Sequence, residues 1–393
     1  MKRIAAFLFA SVMIQTIGAQ SFIQTYQNRA NMVTQTNITT NLQEFANLGV
    51  KTTGSPANAN ALNWLKNKYL SYGYAANQMV EDPFTYGSLS SKNLIITKTG
   101  TVYPNQYIII CGHFDTINGP GVNDNGSGTS IILEAARILK DVPTEYSIKF
   151  IHFSGEEQGL IGSYHYADNV AYQGNTRVLD IKLVLNLDQV GGKNSNVNNT
   201  VYCDQDLGGV TTNNPASAVI TQELRNCTAL YSPLQTAVDP AERSDYIPFE
   251  EKGEVITGFF ERIESNYPHT SHDTFANTDP VYIYNIGKAT VGALQHFAVA
   301  TTTGSALGTN ENKVNVLESV KIYPNPVKDI VSIELPDSNL KNFSFEITDF
   351  PGRSLLKTTN ETKINVSHLE DGAYLGVLKT ADQTVVRKIL IKR

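Results

Sequence analysis

The apolar run Ile108-Ile109-Ile110-Cys111 stops at a cluster of polar residues, His113 and Asp115, and a Gly/Pro/Asn loop carrying Asp124 comes next. A short apolar run bounded by turn residues reads as a buried strand. After the loop, residues 130–140 place Ile131, Ile132, Ala135, Ile138 and Leu139 at helical spacing, with Asn125 or Ser127 as the expected cap. The same arrangement, an apolar strand ending in polar residues, returns twice. Residues 146–153 (YSIKFIHF) run into Ser154-Gly155-Glu156-Glu157, and residues 181–187 (IKLVLNL) end at Asp188.

Around these three units the pattern predicts helices over 41–48 and 60–72, the second with Leu62, Leu65 and Tyr69 on one stripe. It predicts a strand over 92–98 (KNLIITK) neighbouring the one at 107–111, a short helix over 162–170, a helix over 219–227, a strand over 255–260 and a closing helix over 281–300. Strands alternating with helices point to the α/β class, a mixed and mostly parallel sheet covered by helices on both faces. Such sheets bind ligands at the carboxyl ends of their strands, which is where the polar clusters fall.

Residues 301–309 (TTTGSALGT) have no periodicity and read as a linker. Beyond them the short alternating runs IYPNP, DIVSIEL, FSFEITDF, KINVSHL, GAYLGVLK and VVRKILIKR predict a small all-β sandwich. At the other end, Lys2-Arg3, an apolar middle and Ala19 before Gln20 read as a signal peptide. The expected division is a signal peptide at 1–19, an α/β domain at 20–301, a linker at 302–316 and a β domain at 317–393.

Composition narrows the function. A net charge of -6 without a Lys/Arg cluster argues against a nucleic-acid or anionic-membrane partner, and no later stretch is apolar enough for a membrane span. Three cysteines are too few to staple the fold; Cys111 reads as a buried thiol, and Cys203 and Cys227 are the pair that an exported chain can join.

The polar residues at the strand ends are His113, Asp115, Asp124, Glu156, Glu157 and Asp188, joined by a histidine from Tyr267-Pro268-His269-Thr270-Ser271-His272-Asp273-Thr274. Imidazole and carboxylate without thiolate suit zinc in a hydrolytic site. Two ions about 3.5–4 Å apart need a shared carboxylate. Asp124 can bridge, His113 and Asp188 can serve one ion, and Glu157 and His269 the other. Spacing leaves His269 and His272 equally placed for the last position. Glu156, beside a ligand, is placed to move protons as general base and acid, with metal-bound hydroxide as nucleophile. Asp115 is placed to accept the second ring N–H of His113 and fix its tautomer.

At these residues the sequence resembles metallopeptidase family 28, the two-zinc aminopeptidases, through GHFDT, GVNDNGSG, FSGEEQGLIGS, LNLDQVG and YPHTSHDT, with TTGSP and SDYIPF in support. The resemblance implies a zinc exopeptidase fold over 20–301, selects His269 as the last ligand, and implies a cis peptide after Asp124. It implies two Zn2+ per chain and peptide substrates with a free N-terminus, whose amine Glu156 and Asp188 are candidates to hold. Tyr246 stands where many relatives have histidine. The tail resembles the sorting domain of type IX secretion substrates through Tyr323-Pro324-Asn325-Pro326, Gly352-Arg353, Gly372-Ala373-Tyr374 and the basic end 388–393. It implies the type IX machinery as partner and a secreted or cell-surface location. The rival readings are a single-zinc enzyme like glutaminyl cyclase and a non-catalytic surface binding protein on a peptidase fold.

Overall fold

The computed structural model describes residues 20–302, 320–335, 342–348, 354–380 and 384–393. The expected signal peptide, all but the first residue of the expected linker, and the Gly352-Arg353 pair lie outside these residues.

Three helices open the described chain, α1 (Gln24–Ala30), α2 (Gln35–Asn47) and α3 (Pro56–Ser71). The N-cap side chains Thr34 and Ser55 accept the backbone N–H of Asn37 and Asn58 and so start α2 and α3. Strands and helices then alternate: β1 (Met79–Tyr86), β2 (Leu89–Lys98), β3 (Tyr103–His113), α4 (Gly128–Leu139), β4 (Tyr146–Phe153), α5 (Ile161–Tyr166). A small hairpin, β5 (Tyr172–Gln173) and β6 (Thr176–Arg177), precedes β7 (Asp180–Leu187), β8 (Thr200–Gln205), α6 (Asn214–Tyr231), β9 (Gln235–Pro240), α7 (Ile247–Glu250), β10 (Ile256–Glu261) and α8 (Pro280–Phe297).

The eight-stranded sheet has the order β1-β2-β4-β3-β7-β10-β8-β9. Its centre is parallel, since β3 pairs with β4 and β7, and β10 with β7, in that sense. β2 and β8 join it antiparallel. The strand at 92–98 is therefore not beside β3. β4 lies between them, because the crossover through α4 returns the chain to the gap next to β3, where both faces can be buried.

Alternation along β3 divides the core. Ile108 and Ile110 pack with α2, α3, α4 and α8 on one face, while Ile109 and Cys111 pack with Phe153, Tyr166, Tyr246 and Phe249 on the other. Cys111, Cys203 and Cys227 are all buried free thiols, so the pairing open to Cys203 and Cys227 is not made. No helix among the described residues is long and apolar enough to cross a membrane.

The tail forms two antiparallel sheets. One is β11 (Lys321–Tyr323), β12 (Ile330–Glu334) and β15 (Lys363–Asn365); the other is β13 (Ser344–Thr348), β14 (Ser354–Thr359), β16 (Gly372–Lys379) and β17 (Thr384–Ile391). Val331, Ile333 and Ile364 from the first meet Phe345, Ile347, Leu378 and Ile389 from the second in one apolar core, as a sandwich requires.

Candidate metal centre

Parallel register brings the three polar strand ends together. His113 stands opposite Phe153, and Cys111 opposite Asn186, so the ends of β4, β3 and β7 are level. The loop carrying Asp124 folds back onto that edge. Asn125 donates its side-chain amide to the Leu187 carbonyl at 2.7 Å and accepts the Gly128 N–H at 2.9 Å, which makes it the cap of α4. Ser127 has a different task, donating to the Asn123 carbonyl at 2.6 Å and accepting the Val190 N–H at 3.0 Å. A Cβ on Gly112 would fall 2.6 Å from the Leu187 carbonyl oxygen, so this close approach needs glycine there.

His113 Nδ1 lies 3.1 Å from the Asp115 backbone carbonyl, which can only accept, so this nitrogen carries the ring N–H. Nε2 then faces Asp124 Oδ1 at 3.2 Å and Asp188 Oδ1 at 3.3 Å. On the other side of Asp124, Oδ2 is 3.0 Å from His269 Nε2, which is in turn 2.9 Å from Glu157 Oε2. His113, Asp124 and Asp188 form one group and Asp124, Glu157 and His269 another, each with its potential ligand atoms within 4.8 Å of one another. Asp124 belongs to both, and the peptide bond after it is cis, as the resemblance implies. His272 is exposed and stacked against Tyr267, away from either group.

Asp115 departs from expectation. Its Oδ1 is 3.8 Å from His113 Nδ1, and the ring N–H goes to its backbone carbonyl instead. The carboxylate has turned toward stronger claims. It accepts the backbone N–H groups of Glu156 and Glu157, each at 3.3 Å, and the Thr53 hydroxyl at 3.2 Å. Asp115 thus fixes the His113 tautomer through its main chain and anchors the Glu-Glu turn through its side chain.

The electrostatics ask for positive charge. Burial works against ionisation of Asp124, yet the hydrogen-bonding imidazoles of His113 and His269 hold its carboxyl down at about 2. His269 is drawn up to about 9, first by its bond to Asp124. Glu157 is pushed up to about 8 by burial and by the neighbouring Asp124. Burial pushes Glu156 well above the usual carboxylate range; His113 opposes this, while Asp188, Asp245 and Asp115 reinforce it. With Nδ1 carrying a proton toward the Asp115 carbonyl, Nε2 of His113 can face these carboxylate oxygens only with a cation between them, either its own second proton, which burial opposes but the surrounding carboxylates favour, or a metal ion. Imidazole with carboxylate is a donor set that fits zinc.

A profile of peptidase family M28 matches residues 93–294, a stretch that contains every one of these candidate ligands. The chain belongs to that family. A second profile, the secretion system C-terminal sorting domain, matches residues 321–392. Among curated relatives, Aminopeptidase YwaD of Bacillus subtilis is 30% identical over 52% of this chain and 44% of its own length. The chain thus spans less than half of that relative. Among solved structures, the LapA aminopeptidase of Legionella pneumophila aligns with a TM-score of 0.60 at 22% identity, over 70% of this chain and 75% of that one. A glutaminyl cyclase from Fimbriiglobus ruber aligns with a TM-score of 0.53 at 17% identity, over 67% and 95%. At these identities both likenesses are of fold alone.

In this M28 chain the groups that hold the candidate ligands were mostly hidden from the sequence. Asp273 accepts the N–H groups of Asn123 and Asp124 at 2.7 and 2.9 Å. Asn123 donates to Glu261 at 2.9 Å and accepts the Gly191 N–H at 2.6 Å. Ser244 donates to Asp188 Oδ2 at 2.6 Å and accepts from Asn186 at 2.8 Å. All of these but Glu261 lie in stretches that the sequence singled out, though nothing in those motifs marked them as supports. Tyr246, also in such a stretch, is buried, with its hydroxyl donating to Asp204 Oδ2 at 3.1 Å and accepting the Glu242 N–H at 2.9 Å.

Proposed function

We propose that this chain is an exported two-zinc aminopeptidase that removes the N-terminal residue of peptides. The observation that carries the reading is the pair of ligand groups sharing the single carboxylate of Asp124. His113, Asp188 and Asp124 would hold one ion, and Glu157, His269 and Asp124 the other. Bound there, the ions would polarise the scissile carbonyl and acidify the attacking water.

The chain's own residues supply the proton path. Glu156 takes a proton from the water as its oxygen bonds to the carbonyl carbon, and returns that proton to the nitrogen as the C–N bond breaks. The carboxylates of Glu156 and Asp188 are the candidates to hold the free α-amine of the substrate. Asp115 keeps Glu156 in place through the backbone of its turn.

The tail, by its match to a sorting domain, directs the protein to the type IX secretion machinery, and the location is secreted or cell-surface. The deciding experiment profiles the purified chain against peptide libraries with free and N-acetylated termini, with and without a zinc chelator. Cleavage confined to free termini and abolished by chelation is expected. Cyclisation of N-terminal glutamine instead of hydrolysis would assign the chain to the glutaminyl cyclase chemistry, and neither reaction would leave a binding protein.

A further inference from the structure

Lys51 sits in the connection between α2 and α3 and is fully buried, yet none of its hydrogen bonds goes to a carboxylate. Its ammonium donates to three main-chain carbonyls: Gly49 at 2.7 Å, Pro120 at 2.7 Å and Phe45 at 3.3 Å. It also lies 3.8 Å from the centre of the Phe45 ring, a cation held by an aromatic face. An ammonium has three N–H donors, and here each has an acceptor.

Two of the carbonyls lie in the last turn of α2 and just beyond its end, but the third belongs to the loop between His113 and Asp124. Main-chain contacts close the same junction. The Lys51 N–H donates to the Thr116 hydroxyl at 2.9 Å, and the Thr116 N–H donates to the Lys51 carbonyl at 3.3 Å. Two residues on, Thr53 reaches Asp115. A segment upstream of residue 93, where the family match begins, therefore grips the near end of the loop. Asp273 grips its far end at Asn123 and Asp124.

We propose that Lys51 is a positioning residue whose buried ammonium, seated among three carbonyls, locks the 115–124 loop and so fixes the carboxylate of Asp124 between the two ligand groups. The loop is rich in glycine and proline and has no sheet partner of its own, so its path depends on such anchors. A cap for α2 alone would need only the Phe45 and Gly49 carbonyls. The bond to Pro120 carries the anchor across to the site. The inference rests on the metal reading above for its consequence, though not for the lock itself.

The test compares Lys51→Met, Lys51→Gln and Lys51→Arg in the full chain by hydrogen exchange of residues 115–125, by the rate at which a chelator removes zinc, and by kcat and KM. Lys51→Met should lose protection in that loop, release zinc about 10- to 100-fold faster, and lower kcat with KM little changed. Lys51→Arg, keeping the charge, should recover most of each property. Lys51→Gln, with two donors and no charge, should fall between, and it decides the matter if Lys51→Met does not fold. A folded Lys51→Met or Lys51→Gln chain with wild-type loop protection overturns the lock. Altered protection with no zinc bound by the wild type would overturn the metal reading and leave the lock standing.

Discussion

The carboxylate of Asp273 accepts the backbone N–H of Asp124 at 2.9 Å and that of Asn123 at 2.7 Å, one on each oxygen. The aspartate of the YPHTSHDT motif therefore sets the backbone of the residue both ligand groups share. Asp273→Asn would turn an amide NH2 toward one of these N–H donors and leave it unsatisfied. The expected cost is about 1–3 kcal/mol of stability, with metal affinity lower by about 10- to 100-fold. Calorimetric unfolding and zinc titration check it, and a variant with wild-type affinity would sever the link.

Glu156→Gln keeps the size of the side chain and removes its proton chemistry. Turnover of an aminoacyl anilide should fall by about 10²- to 10⁴-fold while the metal content stays that of the wild type. Unchanged hydrolysis refutes the assignment of Glu156; lost metal would make it a ligand.

Removal of metal should loosen the fold as well as stop catalysis, because the ligand groups tie together the ends of β3, β4 and β7. With free zinc at a hundred times its Kd, binding contributes about 2.7 kcal/mol. Thermal unfolding with and without chelator should therefore differ by several degrees and recover when zinc is added back. Under the two-zinc proposal, metal analysis should find two ions in the wild type and one in the His269→Ala variant.

Tyr246 has its hydroxyl committed on both sides, to Asp204 and to the Glu242 N–H, within the core. Tyr246→Phe leaves Asp204 without that donor and should cost about 1–3 kcal/mol in stability. kcat should stay near wild type, and a large fall in kcat without a fall in stability would place Tyr246 in the reaction.

Burial holds the Asp204 carboxyl well above its ordinary value of 3.8. Above that pH the unfolded chain has lost a proton that the folded chain keeps, so this group makes stability fall as pH rises toward the folded value. Asp204→Asn mimics the protonated acid at every pH. Its melting temperature should fall less across that window than the wild type's, and parallel curves would show that Asp204 is ionised in the fold.

The sequence showed most clearly what repeats with a period. The strands later seen as β3, β4, β7 and β10 are apolar runs of the right length, and four of the candidate ligands and Glu156 follow three of them directly or within a short loop. β1 and β9 were missed because these edge strands carry half-exposed polar residues and no apolar run, and β8 because its buried residues include Thr200 and Asp204 and so form no apolar run. Strand order was also hidden. Nothing in KNLIITK says that β4 will enter between it and β3. The cluster was readable because its chemistry needs rare residue types, whereas its supports use common ones. Asn123, Glu261 and Lys51 look like loop and surface residues until the backbone that they hold is seen. The Asp115 side chain was misdirected for the same reason, since its real partners are main-chain N–H groups that any sequence supplies.

The two imidazoles are unequally shielded, His113 having 1% of its side chain exposed and His269 53%. Solvent therefore reaches one half of the pair long before the other, and the cluster is kinetically lopsided. Two ions held there would exchange unequally, the one on the His269 side first, and stepwise loading with two different elements would then give a mixed-metal protein whose order of assembly follows from that shape.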